Sequence, residues 1–124
     1  VIDSDGLPDL PGINKADGLR RLMNKPALYE KILRDVHTRT SNVPELIRIA
    51  LADGDFGTAE RQAHSTKGLA GTIGAIDLQM AAAKLEATLH GGDIPSTEAF
   101  SQFEKALSTV MDGIAVGFGI KTGG

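Results

Sequence analysis

Residues 53–93 read DGDFGTAERQAHSTKGLAGTIGAIDLQMAAAKLEATLHGGD. Two helical periods run through this stretch, with a turn between them. Phe56, Ala59, Ala63, Thr66, Ala70 and Ile73 recur at steps of three and four, the spacing of one helix face. Leu78, Ala81, Ala82, Leu85 and Leu89 repeat the pattern after Gly74. Gly54 suits the position just beyond a helix, and Asp55 suits the N-cap of the next. Gly74 ends the first helix, and His90-Gly91-Gly92-Asp93 closes the second. The stretch predicts two antiparallel helices, over about 56–72 and about 76–90.

The helical period continues on both sides. Leu19, Leu22 and Met23 predict a short helix over about 15–24. Asn24-Lys25-Pro26 breaks it, with Pro26 placed for the first turn of the next helix. Leu28, Ile32, Leu33 and Val36 keep helical spacing, as do Val43, Leu46, Ile47, Ala50 and Leu51. Pro44 falls inside this run, and a proline in a helix interior costs about 3 kcal/mol. The expectation is one long helix kinked near Pro44. The alternative is two helices broken at Ser41–Asn42, with one of those residues capping the second. Pro95-Ser96-Thr97 opens a last helix with Phe100, Phe103, Leu107, Val110, Met111 and Ile114 inward. No strand signal competes. The predicted fold class is all-α: an antiparallel four-helix bundle with a short extra N-terminal helix. Residues 1–14 read as a linker that ends by packing onto the domain, 15–116 as the bundle, and 117–124 as a flexible, fraying tail.

Composition mostly excludes. The chain has 124 residues, enough for one core. With no Cys there are no disulfides, thiolate zinc sites or cysteine nucleophiles. A net charge of −3 argues against a nucleic-acid partner. No apolar run is long enough to span a membrane, so no membrane contact is expected from this segment. The first residue is Val, which reads as a piece of a longer protein. Fifteen residues are Gly, well above the roughly 7% of an average chain. Most sit at helix ends or in the terminal segments. Gly18, Gly57 and Gly113 have no evident reason in the sequence, and Gly68 and Gly71 lie near a histidine.

On a helix, His64, Lys67, Gly68 and Gly71 fall at i, i+3, i+4 and i+7, one face. Each interior glycine costs roughly 1 kcal/mol relative to Ala. One explanation is close helix packing. The other is a surface kept flat around His64, so that a partner can bring an active site onto the imidazole. A neutral imidazole is a nucleophile at physiological pH, and Lys67 one turn away would neutralise an anion bound on the ring. Such a site suits a phosphoryl group, whose transfer depends on positioning and charge compensation. His37 and His90 read as an ordinary core or surface histidine. Counting from the turn near Gly74-Ala75, His64 lies eleven residues before Ala75 and Glu86 eleven after. The two should therefore sit at equal height. Glu86 is then either a partner of the ring N–H or a solvated surface carboxylate. Arg61 and Ser65 flank His64 on the rim.

His64-x-x-Lys67-Gly68 followed by Gly74-Ala75 resembles the signature of the histidine phosphotransfer (HPt) domain of bacterial multistep phosphorelays. The segments LPGI (10–13), LYEKIL (28–33), ALADGD (50–55) and AAAKLEATLHGGD (81–93) extend the resemblance over roughly residues 10–110. The LPGI lead-in is typical of HPt domains at the end of hybrid sensor kinases. The resemblance implies that His64, through Nε2, carries a phosphoryl group between receiver-domain aspartates. Lys67 would hold phosphoryl oxygens, Gly68 and Gly71 would leave room, Glu86 would support the ring, and Arg61 and Ser65 would touch the receiver. The family often carries an amide at the height of Glu86, so the carboxylate is a departure. The implied partners are receiver domains and a sensor histidine kinase, expected in the same parent chain. The implied location is the cytoplasm, as for the cytoplasmic domain of an inner-membrane kinase. No cofactor or ATP-dependent kinase activity of its own is expected, and the magnesium for transfer would belong to the receiver. A non-phosphorylated helical adaptor using the same face is the alternative. A metal-binding bundle fits poorly: such bundles use several carboxylates with Glu-x-x-His spacing, and Glu60, four before His64, is read as having no second such pair.

Overall fold

A computed structural model describes residues 6–120 of the chain. Residues 1–5 and 121–124, the outer parts of the expected linker and tail, lie outside the described residues. Six helices follow in order: α1 (Lys15–Arg21), α2 (Pro26–Thr40), α3 (Val43–Ala52), α4 (Phe56–Ile73), α5 (Ile76–His90) and α6 (Thr97–Phe118). The bundle is all-α, as expected. The short α1 is the extra helix, and α4 is the central one, touching α1, α2, α3 and α5. The other main contact of the bundle runs between α5 and α6.

The punctuation follows the sequence closely. Asn14, Asp55 and Ser96 each accept a hydrogen bond from the backbone N–H three residues on, at 3.1 Å, and so cap α1, α4 and α6. Pro26 opens α2, where its missing N–H costs nothing. Gly74 ends α4 in the left-handed region, φ +86°. The inward stripes are those predicted: Ala59, Ala63, Thr66, Ala70 and Ile73 on α4, Leu78, Ala82, Leu85 and Leu89 on α5, and Phe103, Leu107, Val110, Met111 and Ile114 on α6.

Three expectations need correction. The single kinked helix near Pro44 is two helices, broken at Ser41–Asn42. Pro44 has no N–H to give the Thr40 carbonyl, and its ring would clash there. Neither break residue caps α3 through its side chain; Ser41 Oγ instead donates to the His37 carbonyl at 2.5 Å. The short first helix stops at Arg21 rather than near 24, because Met23 and Asn24 both turn to φ +57°. The last helix, expected to end at 116, runs through Gly117 to Phe118, and Ile120 packs against the core.

The reason lies in residues 7–14. Leu7 and Leu10 are core residues. Gly113 and Gly117, one turn apart on α6, receive the rings of Pro11 and Pro8: an added Cβ at either would lie 2.9 Å from a proline carbon. Packing of that segment therefore extends α6 past the expected end. Gly18 has an equally specific reason. An added Cβ there would sit 2.5 Å from both the Ile73 carbonyl oxygen and the Tyr29 hydroxyl. Tyr29, fully buried, donates its hydroxyl to that same carbonyl at 2.6 Å. Asn14 N–H donates to the Gly74 carbonyl at 2.8 Å. The C-terminal end of α4 is thus clamped from two sides.

Gly18→Ala should destabilise the fold by about 1–3 kcal/mol, the cost of overpacking a filled site, although alanine is the better helix former. Urea denaturation measures it, and an unchanged or raised midpoint would contradict the clamp.

Candidate functional site

The tight turn at Gly74-Ala75 sends α5 back along α4, so residues equidistant from Ala75 face one another. Gly71 meets Gln79, four residues either side. His64 meets Glu86, eleven either side. Glu60 meets His90, fifteen either side. Helical spacing explains which heights fall on the shared seam.

Glu86 is the hub. Its Oε2 lies 2.5 Å from His64 Nδ1, and its Oε1 lies 2.5 Å from Lys67 Nζ. The hydrogen bond from Lys67 is the largest cause holding the Glu86 carboxyl below its ordinary range. Desolvation opposes it, while the His64 hydrogen bond and the charges of His64 and Lys67 add to it. An ionised carboxylate only accepts hydrogen bonds, so the proton of this contact belongs to Nδ1. The neutral ring then carries its lone pair on Nε2. The His64 side chain is 66% exposed, and no described residue bonds Nε2.

The structure brings His64, Lys67 and Glu86 together and settles the choice between a ring partner and a solvated carboxylate in favour of the partner. Lys67 was expected beside the ring, but its ammonium is held on Glu86. Gly68 is open: an added Cβ would meet nothing within 4 Å. Helix packing therefore does not explain Gly68. Gly71 departs from expectation. It is buried, and an added Cβ would lie 2.6 Å from Gln79 Nε2. The side-chain amide of Gln79 covers Gly71, so the bare face stops at Gly68. Arg61, His64, Ser65, Glu60 and Glu86 line an open depression of about 430 Å³. Arg61 folds back along α4 and donates to Thr58 Oγ1 at 2.9 Å, while Ser65 is exposed.

The apolar short helix lies over the α4–α5 turn, with Leu19 buried and Met23 71% exposed. His37 is a buried α2 residue, as expected. His90 is a surface histidine, as expected, but with a partner that was not expected: its Nδ1 lies 3.2 Å from Glu60 Oε2. The signal was present, since Glu86 and His90 repeat the four-residue spacing of Glu60 and His64. Among the described residues no group of three His, Cys, Asp or Glu side chains is placed to hold a metal ion. No described helix is long and apolar enough to cross a membrane.

The site is thus an exposed imidazole, held at one nitrogen by Glu86, on a helical hairpin beside a bare glycine. The family model of the Hpt domain matches residues 32–115. The chain belongs to that family: it is a phosphotransfer domain that relays phosphoryl groups in a two-component phosphorelay. Hpt domains in general pass these groups to and from receiver domains. The fold is similar to the crystal structure of the HPT domain from the Hpt sensor hybrid histidine kinase of Shewanella, with TM-score 0.75 and 19% identity over 93% of this chain and 100% of that one. Comparison with curated proteins finds no significant match.

Two stability measurements check the site's geometry. Gly68→Ala should stabilise the fold by up to about 1 kcal/mol through helix propensity, since nothing opposes the methyl; destabilisation would mean the face is packed. Glu86, with its folded-state pKa lowered, contributes stability that is present above the unfolded carboxylate pKa and lost as pH falls through the folded one. Wild type should therefore lose more stability than Glu86→Gln on acidification through the carboxylate range. Parallel losses in the two proteins would contradict the pairing.

Proposed function

We propose that His64 is the phosphoryl carrier, through Nε2. The observation that carries this is the contact of His64 Nδ1 with Glu86. It places the proton on Nδ1 and leaves a lone pair on the solvent-facing nitrogen.

The step follows from that arrangement. The Nε2 lone pair attacks the phosphorus of a receiver's aspartyl phosphate. The P–Nε2 bond forms, the P–O bond to the aspartyl carboxyl breaks, and the electron pair leaves with the carboxylate. The ring keeps its Nδ1 proton and becomes cationic, with Glu86 accepting from it. The phosphoryl oxygens compete with Glu86 for Lys67, whose flexible stem lets the ammonium move from one to the other. The reverse step hands the group to a second receiver. Gly68 leaves that receiver room, and Arg61 and Ser65 form part of its footing. Glu86 is a positioning residue, acting through the ring. Gly71 lies under the Gln79 amide instead.

The upstream source in this reading is a sensor histidine kinase acting through a receiver domain; the similar solved structure is the HPT domain of a sensor hybrid histidine kinase. In this reading the domain works in the cytoplasm. The adaptor alternative would leave His64 unmodified.

Incubation with a phosphorylated receiver domain tests the assignment. Wild type should acquire an acid-labile, base-stable label, and His64→Gln should acquire none. Equal labelling of the two would remove His64 from the role. Lys67→Ala should keep its helicity and slow transfer roughly 10- to 100-fold, the loss of one charge-assisted hydrogen bond at the reacting group. An unchanged rate would mean that Lys67 serves only Glu86.

A further inference from the structure

Fifteen residues either side of Ala75, the hairpin carries a second carboxylate–imidazole contact, Glu60 Oε2 to His90 Nδ1 at 3.2 Å. Its polarity is reversed. At the first rung α4 supplies the imidazole and α5 the carboxylate; at the second α4 supplies the carboxylate and α5 the imidazole. The rungs are four residues apart on each helix, about 6 Å along the axis. Glu60 lines the same depression as His64. The second rung serves no core: the His90 side chain is 79% exposed and that of Glu60 33% exposed. Exposed pairs of this kind add little stability.

Any receiver that reaches His64 must cover this rung. A specific interface takes about 800 Å² from each partner, a patch roughly 30 Å across. A pair one helical turn from the reacting nitrogen lies well inside it. There the rung has no contact with the phosphoryl group, and Lys67, the cation that serves the first rung, is committed to Glu86. What the rung offers an approaching surface is a carboxylate on the α4 side and an imidazole on the α5 side.

We propose that the Glu60–His90 rung is a specificity determinant for receiver docking, favouring receivers that set a basic side chain over Glu60 and disfavouring those that set an acidic one there. The inference rests on His64 being the phosphoryl carrier. Charges at such positions act on association and its salt dependence, not on the reaction within the docked complex.

The test measures the rate of label transfer to the full chain against the concentration of each of a panel of phosphorylated receivers. Glu60→Lys should raise the half-saturating concentration of preferred receivers by roughly three- to tenfold. It should leave the plateau rate unchanged and reorder the panel. The exchanged double variant, Glu60→His with His90→Glu, restores the contact within the rung but inverts its polarity. It should keep wild-type stability and an altered receiver order. If the pair is merely structural, the double variant instead regains the wild-type order, which overturns the proposal. An unchanged half-saturating concentration and order in Glu60→Lys overturn it as well. Wild type that takes label with Glu60→Lys indistinguishable from it removes this inference alone; wild type that takes no label at His64 removes the underlying reading too.

Discussion

The register of the α4–α5 hairpin is the constraint on which the site depends. Gly74 turns the chain at φ +86°, a conformation that other residues rarely adopt. The turn is then held from outside, by Asn14 on the Gly74 carbonyl and by Tyr29 on the Ile73 carbonyl. Gly18 lets α1 approach closely enough for both. A slip of one residue would rotate α5 side chains by about 100° around the helix. Glu86 would then leave the His64 seam, and Glu60 and His90 would part as well. The residues that guard the chemistry therefore include several far from it, on α1, on α2 and in the segment before them.

At the site itself one carboxylate organises two side chains. Glu86 binds the imidazole with one oxygen and the ammonium with the other. Its charge holds the proton on the ring nitrogen it faces and a cation on its other oxygen. A neutral amide at this position would also accept from Nδ1, but it would bind Lys67 less strongly. The carboxylate thus keeps the cation committed until a stronger anion competes for it. Beyond His64 the helix surface drops to the bare Gly68, which leaves the ring proud of its surroundings. Gly71, one turn further on, is filled by Gln79 and plays no part in that opening.

Much of this was legible because it is local. Capping residues, the glycine after α4 and the three- and four-residue steps of Ala and Leu are written in neighbouring letters. The pairing of His64 with Glu86 followed from counting outward from a short turn. The same count carried four residues further along each helix pairs Glu60 with His90, so that rung was open to the same logic. What the letters did not reveal depends on distant segments. Gly18 answers to Ile73, and Gly113 to a proline about a hundred residues earlier in the chain. The continuation of α6 through Gly117 depends on Pro8 and Leu10 lying against it. The break before Pro44 turned on how a missing N–H and a ring clash are resolved, by kinking one helix or by ending it. Local pattern did not distinguish the two.

The central claim is that Glu86 holds the proton on Nδ1 of His64 so that Nε2 receives the phosphoryl group. Long-range proton–nitrogen NMR of the histidine rings, recorded before and after phosphorylation by a receiver, observes both halves of it. The account predicts the Nδ1–H tautomer for His64 in the resting domain, and phosphorus on Nε2 with the Nδ1 proton retained afterwards. A resting Nε2–H tautomer, phosphorus on Nδ1, or phosphorus on a different residue would contradict it.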